Sequence, residues 1–128
     1  MSDVAAVTRT ITQDQLHAYA DASGDHNPIH IDPAFAATTP FGGTIAHGML
    51  VLALIGEMMH NAHGDRWLRD GKLKVRFKAP TRPGSTVTAS VTGEKPVDGG
   101  VEYAVECRND AGDVLVEGRA TVGVGAGS

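Results

Sequence analysis

The sequence predicts an α+β fold, with one domain spanning residues 1–128. The helical signals lie in the first half of the chain, and four segments with alternating or β-branched residues fill the second half. Between them lies the longest apolar stretch, "MLVLALIGEMM", which belongs to a segment that is apolar on nearly all sides and therefore typical of a buried helix. A chain of 128 residues is long enough to bury a sizeable core in one domain.

The first elements are predicted from local signals. Residues 4–10, "VAAVTRT", are compatible with a short first strand. Thr12 and Gln15 have the spacing of a capping box, and Gly24 supplies a stop. We therefore expect an amphipathic helix over residues 13–22.

Two further helices are expected before the strands. Residues 23–30 are predicted as a loop, after which Asp32 and Pro33 are suited to the N-cap and the first position of a short helix. The long apolar helix is expected to run from His47 to about His60.

The strands are separated by the turn sequences "TRPG", "PVDGG" and "NDAGD". The last three are closely linked, which favours an antiparallel meander, and the final "GAGS" is expected to fray. The four predicted strands are "GKLKVRFKAP", "STVTASVTGEKP", "VEYAVECRND" and "DVLVEGRATVGV". A curved antiparallel sheet of about five strands wrapped around a long buried helix is the hot-dog arrangement. Its open edges favour pairing with a second subunit, so we expect a homodimer.

Composition narrows the possible partners and compartments. The formal net charge is −4, and no run of Lys or Arg is present, which argues against nucleic acid or an anionic membrane as the main partner. The single Cys107 is expected to be a buried structural thiol in a reducing compartment. The first residues lack the pattern of a signal peptide, and the longest apolar segment is too short to cross a bilayer. These features predict a cytoplasmic protein.

The stretch "SGDHNPIH", residues 23–30, gathers several groups that can transfer protons. Asp25 and His30 would be roughly 17 Å apart in an extended chain, too far to act on one small molecule. The Asn27-Pro28 pair favours a turn, which would let the carboxylate and the imidazole meet at one water molecule. Such a pair suits hydration or dehydration chemistry. The alternative is a plain Asx turn beside a partly buried histidine.

A metal site is not favoured at this stretch. Asp25, His26 and His30 could offer ligands, but neighbouring side chains of an extended loop point apart, and no cysteine or further carboxylate completes the set. We therefore expect no metal.

The second informative stretch is "FGGTIAHGML", residues 41–50, which leads into the long helix. The first N–H groups of a helix lack acceptors and carry a partial positive charge, so they can stabilise an oxyanion. Gly48 would allow a ligand carbonyl to approach its amide closely. His47 is expected to hold the loop in place by hydrogen bonds rather than to catalyse.

Together, "YADASGDHNPIHIDPAFA" and "FGGTIAHGML" resemble the hydratase 2 motif of the MaoC-like hot-dog family. Known members are (R)-specific enoyl-CoA hydratases and (3R)-hydroxyacyl-ACP dehydratases. By position, the resemblance implies that Asp25 and His30 are the catalytic pair that activates water. It also implies that the Gly48 N–H receives the thioester carbonyl and that Asn27 shapes the loop or orients its neighbours.

Other positions are less firmly implied by the resemblance. Lys78 and Arg82 are candidates for contacts with CoA phosphates, although solvated charges near a turn are an equally good interpretation. Some relatives carry Ser where this chain has Gly56, which leaves open the help of a helix side chain and the shape of the acyl pocket.

The resemblance implies reversible hydration of a trans-2-enoyl-CoA to the (3R)-3-hydroxyacyl-CoA, with no cofactor and with an acyl-CoA or acyl-ACP as substrate. A (3R)-hydroxyacyl-ACP dehydratase of fatty-acid or polyketide synthesis remains an alternative, since the same residues would serve. The same fold is also compatible with a thioesterase, for which Glu57 would be the carboxylate, and with a non-catalytic binding module.

Overall fold

A five-stranded antiparallel sheet packs against one long helix in the computed structural model, which describes residues 4–123. The predicted α+β class is confirmed. In chain order the elements are β1 (Val7–Thr10), α1 (Gln13–Ser23), α2 (Pro28–Ile31), α3 (Pro33–Ala36), α4 (Gly48–His63), α5 (Asp65–Asp70), β2 (Lys72–Phe77), β3 (Thr86–Val97), β4 (Gly100–Arg108) and β5 (Val114–Gly123). The predicted frayed "GAGS" lies outside the described residues.

The strand order across the sheet is β1-β3-β4-β5-β2, and every neighbouring pair is antiparallel. The predicted meander of the last three strands is therefore confirmed, while β1 and β2 form the two edges. The register of β3 shifts between Val91 and Gly93, a bulge of the kind that bends a strand.

Alternation along the strands builds the core. In β4, for example, Tyr103, Val105 and Cys107 are buried. These side chains lie under the buried face of α4, which carries Val51, Leu54, Ile55, Met58 and Met59.

Helix α4 occupies the central position that the sequence predicts, but one chain covers only one of its faces. Met49, in the first turn, is 57% exposed, and Ala53 is exposed as well. The helix begins at Gly48 with His47 as its N-cap, and it continues three residues beyond the predicted end at His60. None of the helices formed by residues 4–123 is long and apolar enough to span a membrane.

Helix α1 has the predicted start and stop. Thr12 Oγ1 accepts a hydrogen bond from the Gln15 N–H at 3.2 Å, and Gln15 Oε1 accepts one from the Thr12 N–H at 3.3 Å. Gly24 ends the helix in the left-handed region, at φ 81°. The capping box and the glycine stop are therefore both confirmed.

Two short helices were not predicted. The stretch 23–30 is not a loop throughout, because Asn27 caps the single turn of α2 and Pro28 supplies a φ that suits the first helical position. Helix α5 follows α4 directly, after Gly64. Helix α3 does match its prediction, with the Phe35 N–H donating to Asp32 Oδ1 at 3.2 Å.

Candidate active site

The carboxylate of Asp25 is held at the end of α1 by local hydrogen bonds. The Asp25 N–H donates to Ser23 Oγ at 3.2 Å, and Asp25 Oδ1 accepts from the Asn27 N–H at 3.3 Å. The second interaction is an Asx turn, which uses one carboxylate oxygen for the backbone. The other oxygen, Oδ2, is therefore left for chemistry, on a side chain that is 54% exposed.

The turn that follows returns the chain towards Asp25. Asn27 Oδ1 accepts from the Ile29 N–H at 3.1 Å, which caps α2, and His30 lies within that single turn. Asp25 Oδ2 and His30 Nε2 are 3.8 Å apart, compared with roughly 17 Å between the residues in an extended chain. The structure thus brings the two predicted groups together.

The tautomer of His30 follows from the hydrogen bond that its Nδ1 atom makes. Nδ1 lies 2.8 Å from the carbonyl oxygen of Ile45, and a carbonyl can only accept, so the Nδ1–H donates. In the neutral ring, Nε2 then carries the lone pair and is directed towards the Asp25 carboxylate. The side chain of His30 is only 12% exposed, so the ring is enclosed on most sides.

His47 packs directly against this pair. It is 2% exposed, and its Nε2–H donates to the backbone carbonyl of Asp25 at 3.0 Å. Its ring is stacked on that of His30, with centroids 3.8 Å apart, and Tyr19 packs against it at 4.8 Å. Within residues 4–123, no partner lies near its buried Nδ1. His47 therefore holds the Asp25 backbone rather than touching the carboxylate.

Asp25, His30 and His47 form the one described group of side chains that could supply three ligand atoms to a metal, since these atoms lie within 4.8 Å of one another. Two imidazoles bind one ion only when their in-plane lone pairs converge. The His30 and His47 rings are stacked, with 24° between their planes, so these lone pairs lie in two nearly parallel planes about one ring thickness apart and do not converge on one point between them. The arrangement suits proton transfer better than ligation.

His26, in the middle of the same motif, takes no part in this cluster. Its Nε2 lies 3.0 Å from Asp21 Oδ1, and this hydrogen bond raises its pKa above the ordinary value of 6.5. The ring is exposed and directed back to α1 rather than towards His30.

A cavity of about 370 Å³ opens beside His30 at the N-terminus of α4. His30 and Gly48 both face it, and its wall is mostly apolar. Gly48 lies so close to Phe77 that a Cβ at position 48 would be 2.9 Å from Phe77 Cε1. The other lining residues are Phe41, Ile45, Ala46, Val51, Lys78, Ala79, Pro80, Thr81 and Val116.

The fold and this geometry agree with the comparison to protein families. The family model described as a MaoC like domain matches residues 2–113. This chain belongs to the MaoC-like family.

Among curated proteins, the MaoC-like chain is 39% identical to an (R)-specific enoyl-CoA hydratase of Rhodospirillum rubrum, over 95% of this chain and 85% of the relative. It is 43% identical to 3-hydroxyacyl-thioester dehydratase Z of Mycobacterium tuberculosis, over 74% of this chain and 67% of the relative. Among solved structures, it is similar to an (R)-hydratase from A. caviae involved in PHA biosynthesis, with a TM-score of 0.77, 30% identity and coverage of 94% and 93%. The hot-dog fold is therefore confirmed.

The remaining predicted positions of the MaoC-like chain lie at different distances from the pair. Lys78 lines the cavity and is 3.6 Å from Glu117 Oε1. Arg82 is exposed and lies over Gly43, with Nη1 at 3.7 Å from the point where a side chain at position 43 would begin. Gly56 faces open space, since a Cβ there would meet no described atom within 4 Å.

Sequence reasoning missed two polar residues that support the pair. Gln13 Nε2 donates to the backbone carbonyl of His30 at 2.9 Å, and Gln13 Oε1 accepts from Thr44 Oγ1 at 2.7 Å. Thr44 is a buried polar residue in the glycine-rich segment, at 8% exposure. The available signal was weak, because Gln13 resembles an ordinary first-turn residue in a helix whose capping box involves Gln15.

Proposed function

We propose that this MaoC-like protein is a hydro-lyase that reversibly hydrates trans-2-enoyl-CoA to (3R)-3-hydroxyacyl-CoA. The observation that carries the proposal is the 3.8 Å separation of Asp25 Oδ2 and His30 Nε2 beside a mostly apolar cavity. Relatives named as an (R)-specific enoyl-CoA hydratase and a 3-hydroxyacyl-thioester dehydratase support both directions of the reaction.

The catalytic pair is suited to hold one water molecule. Both Oδ2 of Asp25 and Nε2 of His30 are acceptors in this state, and 3.8 Å is longer than a direct hydrogen bond. A water molecule within reach of both can donate one hydrogen to each, which leaves its oxygen lone pairs free to attack.

Hydration then proceeds by addition across the conjugated double bond. The water oxygen forms a bond to C3 while Asp25 takes a proton as general base, and His30 orients the water through Nε2. The pair returns a proton to C2, so hydrogen and hydroxide are added and no electrons leave the system. Because the reaction is neutral in redox terms, it needs no cofactor beyond the thioester carrier.

Attack at C3 moves negative charge to the thioester oxygen. The N–H of Gly48 is suited to stabilise that charge, since the first N–H groups of a helix have no acceptor within the helix. The absent side chain at Gly48 makes room for the Phe77 ring, which forms part of the cavity wall beside this amide. Asn27 and His47 would hold the loop through the Ile29 N–H and the Asp25 carbonyl, respectively.

The acyl group of the substrate can be carried either by CoA or by an acyl carrier protein. Lys78 at the cavity and Arg82 beside the glycine-rich segment are candidates to contact the phosphates of CoA or of a phosphopantetheine arm. A (3R)-hydroxyacyl-ACP dehydratase would use the same catalytic groups, so the carrier is a matter for the assay.

A thioesterase reaction is less well supported. Glu57 is the carboxylate it would need, but Glu57 forms an ion pair with Arg9 on β1. Glu57 lies nine positions after Gly48 on the helix, which corresponds to about 13.5 Å along its axis.

The protein is further proposed to act as a homodimer in the cytoplasm, without a nucleic-acid or membrane partner. The sheet has two open edges, and the uncovered side of α4 exposes Met49 and Ala53. Pairing with a second copy would cover such surfaces, and the mass of the purified protein in solution tests this.

The test of the activity is to follow the enoyl absorbance of crotonyl-CoA in the presence of the wild type, Asp25→Asn and His30→Ala. Loss of absorbance only with the wild type, without release of free thiol, is the expected result. Coupling to an R-specific or an S-specific dehydrogenase then gives the configuration of the product. Release of thiol would instead support a thioesterase, and parallel reactions with crotonyl-ACP compare the two carriers.

A further inference from the structure

The side chain of Gln13 connects the catalytic histidine to the segment that leads into α4. Its Nε2 donates to the His30 carbonyl at 2.9 Å, and its Oε1 accepts from the Thr44 hydroxyl at 2.7 Å. The two bonds fix the orientation of the amide, since only the nitrogen can donate and only the oxygen can accept from a hydroxyl that donates.

These bonds close a circuit around His30. The ring Nδ1–H donates to the Ile45 carbonyl at 2.8 Å, and Ile45 is covalently next to Thr44. The circuit therefore runs from Gln13 to His30, from His30 to Ile45, and from Thr44 back to Gln13. The segment that contains Thr44 and Ile45 thus holds the ring of His30 directly and its backbone through Gln13.

Gln13 is itself anchored on a rigid support. It is the first residue of α1, directly after the capping residue Thr12. Just before it, the Ile11 N–H donates to the Ser85 carbonyl at 2.9 Å, and Ile11 is 2% exposed. Because its backbone is held in this way, the side chain of Gln13 is suited to keep the residues that it binds in place.

We propose that Gln13 is a positioning residue for the hydration reaction, acting through His30 and together with Thr44. This inference rests on the proposed function of the Asp25–His30 pair. Gln13 touches neither the water nor the thioester in this account. Its effect is to keep Nε2 of His30 directed at the water, so its loss lowers the rate of the chemical step more than the affinity for substrate.

The kinetic test compares variants of similar shape. In Gln13→Met, which removes both bonds, kcat for crotonyl-CoA is expected to fall about tenfold, equivalent to ~1.4 kcal/mol of transition-state stabilisation, with KM nearly unchanged. Thr44→Val should give a smaller fall, and Thr44→Ser should retain the wild-type rate. The double variant should be no slower than Gln13→Met alone, because Thr44 acts through Gln13.

Gln15→Met is the matched control for stability. Gln15 lies in the same helix and also uses its side chain in a hydrogen bond, but its partner is the Thr12 N–H. This variant should lower the melting temperature while kcat stays at the wild-type value. An unchanged kcat in Gln13→Met, or losses in Gln13→Met and Thr44→Val that multiply, would overturn the proposal.

A second measurement does not depend on activity. Long-range proton–nitrogen NMR spectra of the imidazoles report the tautomer, and the His30 signals are assigned by their loss in His30→Ala. The wild type should show His30 protonated at Nδ1 when neutral, and Gln13→Met should show a mixture of tautomers. If the wild type hydrates no enoyl thioester but this change occurs, the proposed function fails while the positioning role stands. An identical His30 spectrum in the variant would reject that role.

Discussion

Replacement of Asp25 by Asn removes the proposed general base and changes little else. Asn retains an oxygen that can accept from the Asn27 N–H, now at 3.3 Å from Oδ1, so the Asx turn should persist. The substitution replaces Oδ2, the oxygen nearest to His30 Nε2, with a group that cannot take a proton from water.

The expected cost follows from these two facts. Loss of a general base lowers a rate by about 10²- to 10⁴-fold, which corresponds to ~2.7–5.4 kcal/mol in the activation free energy. The carboxylate is 54% exposed and keeps its one backbone bond, so the free energy of unfolding should change by less than about 1 kcal/mol. The activity and the stability should therefore separate clearly.

The assay is the initial rate of enoyl absorbance loss with crotonyl-CoA, together with the melting temperature of each variant. Asp21→Asn is the matched control, because Asp21 is a more exposed carboxylate, at 81%, whose nearest ionic partner is His26. This control should keep the wild-type rate. An Asp25→Asn protein that retains more than about a tenth of wild-type kcat would refute the general-base assignment.

Three further outcomes are expected. Gly48→Ala places a Cβ at 2.9 Å from the half-exposed Phe77 ring, which must move to make room. Since the backbone N–H is retained, kcat/KM should fall by less than the ~10²- to 10³-fold cost of removing an oxyanion donor. Adding Phe77→Ala to this variant should restore part of the lost kcat/KM. Burial, and next the charge of Arg66, lower the pKa of His63, so the unfolded chain binds the proton more tightly. Urea midpoints should therefore decrease as the pH falls below 6.5, and less so in His63→Gln. Burial raises the pKa of Cys107 to about 12, so iodoacetamide should modify this thiol only after unfolding.

Local signals predicted the fold well where neighbouring residues decide the structure. The capping box of Thr12 and Gln15 and the stop at Gly24 need only a few adjacent residues, and each is formed as expected. The single turn of α2 escaped prediction because its cap, Asn27, and its first residue, Pro28, are also typical of a plain turn. Four residues are too few to show helical periodicity.

In the candidate site, too, contacts between neighbouring residues could be predicted and contacts between distant residues could not. Asp25 and His30 lie within one short motif, so their proximity could be inferred from the turn between them. The partners that orient them are distant in sequence: His47 is 22 residues from Asp25, and Gln13 is 17 residues from His30. Such contacts depend on how the helices pack: the sequence indicated that His47 would hold the loop by hydrogen bonds but not which group it would bind, and it gave no indication of the role of Gln13.

The proximity of Asp25 and His30 does not by itself determine which ring nitrogen of His30 faces the carboxylate. That orientation comes from the Ile45 carbonyl, which fixes the proton of the neutral ring on Nδ1 and leaves Nε2 to accept from the water of the proposed reaction. Three residues later the same segment provides Gly48, the first residue of α4. The carbonyl that orients the His30 ring and the N–H proposed to stabilise the thioester oxygen thus lie on one short piece of backbone. A displacement of this segment would move both the His30 ring and the Gly48 N–H, so the proposed positions of the water and of the thioester oxygen are coupled through residues 45–48.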